Sequence, residues 1–268
     1  MKTLSVYTTT MNALFWQTTI EETIMSALQF ADEIVVVDGG STDGTIELIE
    51  EMTDRYGSIN LIIEPDKYDS LGQRSLAQKK SKAALACTGK YCMLLDADEV
   101  VHEDHMKRIL DLPNIYPAAI AFNFQTIHFY RSWNRFQEGP GWYEGRVYMW
   151  KNKQGIHHGK VGRDRDQIVD RAGDSLEVQA INDHNVSIFH YGWCRNDAIM
   201  QMKKRRQEIE WWGKDYWKKH TFPLKFDNPL DLPRFNGTHP SVMQVVVDTE
   251  GESRWIHEYS NDYRGYFA

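Results

Sequence analysis

Residues 33–38 read EIVVVD, an apolar run with no polar residue between Ile34 and Val37. Successive side chains of an extended strand point to opposite faces, so a strand of this kind needs cover on both sides. A parallel sheet with helices packed on each face supplies that cover. The flanking sequence fits the same plan. TLSVYTT is a β-branched run that predicts a first strand. TTIEETIMSALQFA follows, with Ile20, Ile24, Ala27, Leu28 and Ala31 on one helical face. Thr18 with Glu21, or Thr19 with Glu22, has capping-box spacing at its start. After EIVVVD comes the turn GGSTDG, and TIELIEEM opens a second helix. INLIIE predicts a third strand, SLGQRSLAQKKSKAALACTG a third helix stopped near Gly89, and KYCMLL a fourth strand.

Strand and helix therefore alternate through the first hundred residues. Right-handed crossovers turn such a series into an α/β, Rossmann-like, doubly wound and mostly parallel sheet. Ligands bind outside the carboxyl ends of the strands in sheets of this type. Three polar clusters lie at those ends: Thr8–Thr10, Asp38–Asp43 and Asp96–Glu99. The second half reads differently. AAIAFNFQTIHFYR and GRVYMWK predict longer strands, antiparallel or mixed, around the aromatic, glycine-rich loop SWNRFQEGPGWYEG. VSIFHYGW is a further short strand that ends near His190. NDAIMQMKKRRQEIEWWGKDYW puts Ile199, Met202, Ile209, Trp212 and Tyr216 at roughly helical spacing and predicts a long amphipathic helix. We expect one domain over residues 1–195, with a nucleotide-binding half to residue 100 and an acceptor half after it. Residues 196–268 form a helical and irregular C-terminal extension packed on that domain.

The stretch YCMLLDADEV poses the sharpest chemical question, because Asp96, Asp98 and Glu99 crowd three carboxylates at the tip of a buried strand. A D-x-D there aims both aspartates to one side, and oxygen ligands suit magnesium or manganese. A divalent ion would relieve the repulsion. The plain alternative is a solvated turn before a helix N-terminus, where acids are favoured. Asp38 closes the second strand, where an acid can accept hydrogen bonds from a ribose or a base. Asp43 reads more simply as a helix cap. No G-x-G-x-x-G is present, so a dinucleotide fingerprint is missing.

Taken together, VVVDGGSTDGT, GQRSLAQKKSKAALACTGKYCMLLDADE and IFHYGW resemble an inverting family 2 glycosyltransferase of the GT-A fold. NGTHPSVMQ near the C-terminus adds a further patch of likeness. The resemblance implies a nucleotide-sugar donor, a divalent metal (manganese or magnesium) and a glycan or lipid-linked glycan acceptor bound by the second half, as in surface polysaccharide or lipopolysaccharide synthesis. Carried over position by position, it puts Thr8, Asp38, Arg74, Asp96 and Ala97 at the nucleotide-sugar. It makes Asp98 the main metal ligand, aided by Asp96 and His190. Inverting transfer also needs a base for the acceptor hydroxyl. Where relatives carry a His-Glu pair this sequence has GIHHGK, so His158 stands where a glutamate is expected. Glu144 in GWYEGR is the preferred carboxylate, Asp164 and Asp166 are alternatives, and His157 with His158 could instead orient a phosphate or the acceptor.

Two other classes fit parts of the sequence. CMLLDADEVV alone matches the haloacid-dehalogenase phosphatase pattern, with Asp96 as nucleophile. A GT-A domain that binds a nucleotide-sugar or glycan without turnover is the second. The net charge of −7 speaks against a broad nucleic-acid surface. Three cysteines without C-x-x-C fit a reducing compartment. No h-region or membrane-spanning run is seen, so a cytoplasmic protein is expected. The run from Lys203 to Lys219 interleaves basic residues with Trp. It could lie on the inner membrane face, or be a helix whose aromatics pack inward while its cations stay solvated.

Overall fold

A computed structural model of the chain describes residues 2–65, 73–138, 142, 144–152, 155–161, 165–170, 172–212 and 231–250. Strands β1 (Leu4–Thr10), β2 (Glu33–Asp38), β3 (Ile59–Ile63) and β4 (Tyr91–Leu94) run parallel in the order β3-β2-β1-β4. Helices α1 (Ile20–Ala27), α2 (Thr45–Tyr56) and α3 (Gln73–Ala86) connect them. The sheet continues through β8 (Gly145–Lys151), β6 (Ala121–Tyr130), β11 (Ile181–Trp193) and β5 (Glu99–Val101), with β7 (Phe136–Gln137) against β6. Here β8 is antiparallel to both its neighbours, while β11 is parallel to β6 and antiparallel to β5. Helix α4 (Glu103–Ile115) follows β5, and β9 (His157–Val161) pairs with β10 (Arg165–Val169) in a separate hairpin. Helices α5 (Asp197–Trp212) and α6 (Ser241–Glu250) complete the described chain.

The two faces of β2 show why EIVVVD is apolar throughout. Ile34 and Val36 pack with Ile20 and Ile24 of α1 and with Ile49 and Met52 of α2. Val35 and Val37 face the other way, into Tyr7, Trp150 and the Ala83 and Ala84 of α3. The C-terminal helices add two smaller clusters. Met243 and Val246 of α6 cover Val100, Phe129, Phe189 and Tyr191, and Ile199 and Met202 of α5 pack on Phe15. The three cysteines, Cys87, Cys92 and Cys194, are free and buried.

Several local expectations are corrected. The capping box does not form. Thr19 holds the N-cap position of α1 without a side-chain bond, and the Thr18 hydroxyl donates to the Ala13 carbonyl instead. The chain enters α1 from a tight loop in which Asn12 and Gln17 take positive φ, and that loop claims the threonine. Asp43 is a cap of a kind: it accepts from the Thr45 backbone at 3.1 Å, and its other oxygen accepts from the Phe15 backbone at 2.7 Å. Helix α4, helix α6 and the β9–β10 hairpin were not read from the sequence.

At the end of the sheet away from the strand tips, Glu33 of β2 is 5% exposed and ties its strand to the start of β1 and to the turn before β4. Its carboxylate accepts from the Lys2 ammonium at 2.7 Å, the Ser5 hydroxyl at 2.5 Å, and the Thr88 backbone at 2.7 Å. Burial pushes this carboxyl up, but the bonds from Lys2, Ser5 and Thr88 outweigh it and lower it from 4.5 to about 2. A carboxylate with a depressed folded pKa stabilises above its unfolded value and loses that effect as pH falls through the folded one. Glu33→Gln should therefore cost about 2 kcal/mol at neutral pH. The gap from wild type should narrow between pH 4.5 and about 2, as followed by urea melts across that range.

Candidate active site

The turn between β4 and β5 carries Asp96, Ala97 and Asp98, and Glu99 opens β5. Backbone ladders bring the neighbouring side chains to it. In register, His190 of β11 stands opposite both Glu99 of β5 and His128 of β6. The Tyr191 backbone N–H donates to the Asp98 carbonyl at 2.8 Å, which fixes β11 against the turn.

The crowding of carboxylates is relieved by four cations from four places in the chain. Asp96 accepts from Lys80 of α3 at 2.8 Å and from Arg146 of β8 at 2.8 Å. Arg146 also donates to Glu99 at 2.7 Å, and the Tyr148 hydroxyl donates to the other Glu99 oxygen at 2.8 Å. Asp98 accepts from Arg195 at 2.6 Å, with the Lys203 ammonium of α5 3.6 Å from the same oxygen. His190 Nε2 lies 3.5 Å from the other Asp98 oxygen, and its Nδ1 shares a 3.0 Å hydrogen bond with His128 Nδ1. The two aspartates of the D-x-D are therefore held by separate sets of cations.

These contacts set the protonation states. Burial works against ionising Asp96, yet Arg146 and Lys80 outweigh it and keep the carboxyl far below the ordinary range. Burial is likewise overcome at Asp98, by Lys203 first and His190 and Arg195 after it, which lowers it to about 2. Glu99 is raised by burial. Burial drives His190 down to about 3, so its imidazole is neutral at pH 7, and drives Lys203 down to about 8, so it keeps its proton there.

Gly192 makes the closeness of β11 to Asp98 possible. A Cβ on it would stand 2.7 Å from His190 Nε2 and would clash with the Asp98 carboxylate. Aromatic rings crowd the same side: Trp142 lies 5.1 Å from His128 and 5.6 Å from Trp193, centroid to centroid, and Lys203 caps the Trp193 ring at 4.7 Å.

Other sequence-derived candidates fall in several places. Thr8, on β1, is buried with its hydroxyl unpartnered among the described residues. Asp38 is fully buried and occupied in shaping its own loop, accepting from the Gly40 and Ser41 backbones at 2.8 and 2.7 Å and from the Ser41 hydroxyl at 2.6 Å. Gly40 takes φ +89° to complete that turn. Arg74 belongs to α3, but its side chain lies outside the described residues, as do Asp164 and the side chain of Asp166. Glu144 is exposed and immediately precedes β8, two residues before Arg146. His158 is buried on β9 and bonded to the Tyr7 hydroxyl, with Trp150 beside it. His157, its exposed neighbour, rests on the Gly155 carbonyl at 3.3 Å. Lys80, Arg146, Arg195 and Lys203 were missed, since nothing local ties them to the D-x-D. Among the described residues, no group of three His, Cys, Asp or Glu side chains converges as a ready metal cage.

Residues 5–166 match the family described as glycosyl transferase family 2. The chain belongs to that family. Its sheet is mixed, with four parallel strands at one side and mixed strands beyond them. The lipopolysaccharide core biosynthesis glycosyltransferase LpsC of Rhizobium meliloti is 27% identical over 167 residues, 62% of this chain and 56% of that protein. The dolichyl-phosphate β-glucosyltransferase of Dictyostelium discoideum is 28% identical over 85 residues, 32% of this chain and 25% of that protein. This family 2 chain thus spans about half or less of these relatives' length. Among solved structures, S. aureus TarS 1–349 in complex with UDP-GlcNAc superposes with TM-score 0.48 at 13% identity, covering 81% of this chain and 69% of that one. The mannosyltransferase PcManGT from Pyrobaculum calidifontis, in complex with GDP-Man and Mn2+, gives TM-score 0.47 at 16% identity, over 83% and 66%.

Two outcomes follow for this family 2 site. Arg146→Leu leaves Glu99 buried without its cation and should cost about 3 kcal/mol in a denaturant melt, part of it recovered by adding Glu99→Gln. Gly192→Ala should preserve the circular dichroism spectrum while displacing Asp98 and His190, and so abolish any nucleotide-induced rise in Tm.

Proposed function

We propose that the chain moves one sugar from a nucleotide-sugar donor to an acceptor hydroxyl, with inversion at the anomeric carbon. Family membership supports the reaction class, and the observation that carries the site is the pairing of Asp98 with His190 at the tip of a parallel sheet. Their facing atoms are 3.5 Å apart, close enough to share one small cation. The donor set is one carboxylate oxygen, which suits manganese or magnesium, and one neutral imidazole nitrogen oriented through His128, which favours manganese of the two. The fit is to two protein ligands rather than three, because Asp96 is already engaged by Lys80 and Arg146. When bound, the ion would neutralise the departing diphosphate.

The chain's own groups account for the remaining chemistry. Arg195 and Lys203 add fixed positive charge where the leaving group becomes anionic. Thr8 and Asp38, at the tips of β1 and β2, are proposed to meet the nucleoside, with Asp96, Ala97 and Arg74 beside it. Glu144 is the base we assign, as an exposed carboxylate at the start of the strand that carries Arg146. The phosphatase alternative needs Asp96 free to attack a phosphate, and its two cationic partners oppose that role. Surface-glycan or lipopolysaccharide synthesis is the setting we favour, from the likeness to LpsC. Among the described residues no helix is long and apolar enough to cross a membrane. Of the basic run 203–219 the described part ends at residue 212. In it Lys203 reaches Asp98 and Arg206 lies over Trp16 at 5.6 Å, so neither is a freely solvated cation.

The test is a panel of UDP-, GDP-, CMP- and TDP-sugars with and without manganese, scored by donor hydrolysis and by thermal shift. One donor should raise Tm and turn over only with metal, and Asp98→Asn or His190→Ala should lower turnover at least a hundredfold with the fold intact. Glu144→Gln should lower transfer at least a hundredfold while leaving donor affinity within about twofold. Metal-dependent binding without turnover on any acceptor would favour the silent binding module instead.

A further inference from the structure

Three carboxylates and four cations meet at the β4 tip, which leaves one positive charge in excess among the described residues. Asp98 is neutralised before any metal arrives. Its two cations are not equally committed. Arg195 donates to Asp98 at 2.6 Å and to the Trp16 carbonyl at 2.7 Å, and so ties the turn to the loop before α1. Lys203 makes one good hydrogen bond, to the Gly192 carbonyl at 2.7 Å, and stands off Asp98 at 3.6 Å. Its ammonium therefore retains donor capacity. Arg195 Nε is also buried without a partner among the described residues, an unusual state for a guanidinium.

We infer that Lys203 is a stand-in counter-ion for the metal at Asp98: it opposes loading of a bare divalent cation and serves the diphosphate once donor is present. The inference rests on the metal reading above. Its physical basis is charge balance. A divalent ion placed between Asp98 and His190 would sit near two fixed cations already satisfying the same carboxylate, so the local excess would grow. A diphosphate brings the anions that offset it, and Lys203 and the idle Arg195 Nε are the donors placed to receive them. Metal and diphosphate should therefore bind interdependently, with Lys203 setting the coupling.

Lys203→Gln separates the two roles, since an amide can still donate to the Gly192 carbonyl. Binding of MnCl2 alone and of sodium pyrophosphate alone, the latter in EDTA, would be measured by calorimetry on wild type, Lys203→Gln and Lys203→Arg. The Gln variant should bind Mn2+ at least fivefold more tightly than wild type and pyrophosphate at least fivefold more weakly, and the Arg variant should restore both. Equal Mn2+ affinity in wild type and Gln variant overturns the inference while leaving the metal site standing, as does unchanged pyrophosphate affinity. If neither protein binds Mn2+, or if Asp98→Asn binds it as wild type does, the metal reading and the inference fall together. Circular dichroism on each variant establishes that folded protein is being compared, and the Arg variant keeps the test decisive if the Gln variant melts early.

Discussion

Everything at the functional end of this sheet depends on compensating the charge of Asp96, Asp98 and Glu99. Three acids within four residues, all at least partly buried, would hold the turn open if they faced one another uncovered. Instead the acids meet cations drawn from α3, from β8, from the segment after β11 and from α5, with Arg146 shared between Asp96 and Glu99. That arrangement does more than neutralise. It stitches the parallel first half to the mixed second half, because Arg146 and Arg195 come from the second and the acids from the first. Attraction between buried, hydrogen-bonded opposite charges offsets their desolvation only when geometry is good. Arg146, bridging Asp96 and Glu99 and lying 4.7 Å over the Tyr148 ring, has that geometry.

The same network explains how a strand tip becomes a site. Strand β11 must come close enough for His190 to face Asp98, and Gly192 removes the side chain that would prevent it. His128 on the next strand then holds the imidazole from behind. The ladder register, the missing Cβ and the ion pairs each place the same two atoms near each other. Helix α5 closes the arrangement by seating Ile199 and Met202 on Phe15, which carries Lys203 into place.

Much of the fold could be read in the chain. EIVVVD, with its unbroken apolar run, foretold cover on both faces, and the alternation up to Leu94 gave the parallel strands nearly to the residue. Asp98 and His190 were singled out through motif and resemblance, and the structure places them 3.5 Å apart. The cations were not legible. Lys80, Arg146, Arg195 and Lys203 are ordinary solvated-looking residues until the sheet folds, since a charge pair across 97 residues leaves no local periodicity. The burial of His158 was hidden for the opposite reason: a histidine beside another histidine in a polar stretch looks exposed, but Tyr7, far away in sequence, supplies a buried partner. Helix α4 was hidden behind the acids, although Met106, Ile109 and Leu112 bury at helical spacing.

The segment holding Thr238, His239 and Ser241 has a bearing on how this chain tolerates shortening. Thr238 bonds His102 at 3.0 Å, the Ser241 backbone donates to Glu103 at 2.6 Å, and His239 meets the Tyr191 hydroxyl at 2.8 Å. Tyr191 sits between His190 and Gly192, so a distant tail holds the backbone on which His190 rides. A protease nick or an early stop codon upstream of residue 235 would uncover Phe129 and Phe189 and loosen that strand, coupling the integrity of the far terminus to the sharpness of the site.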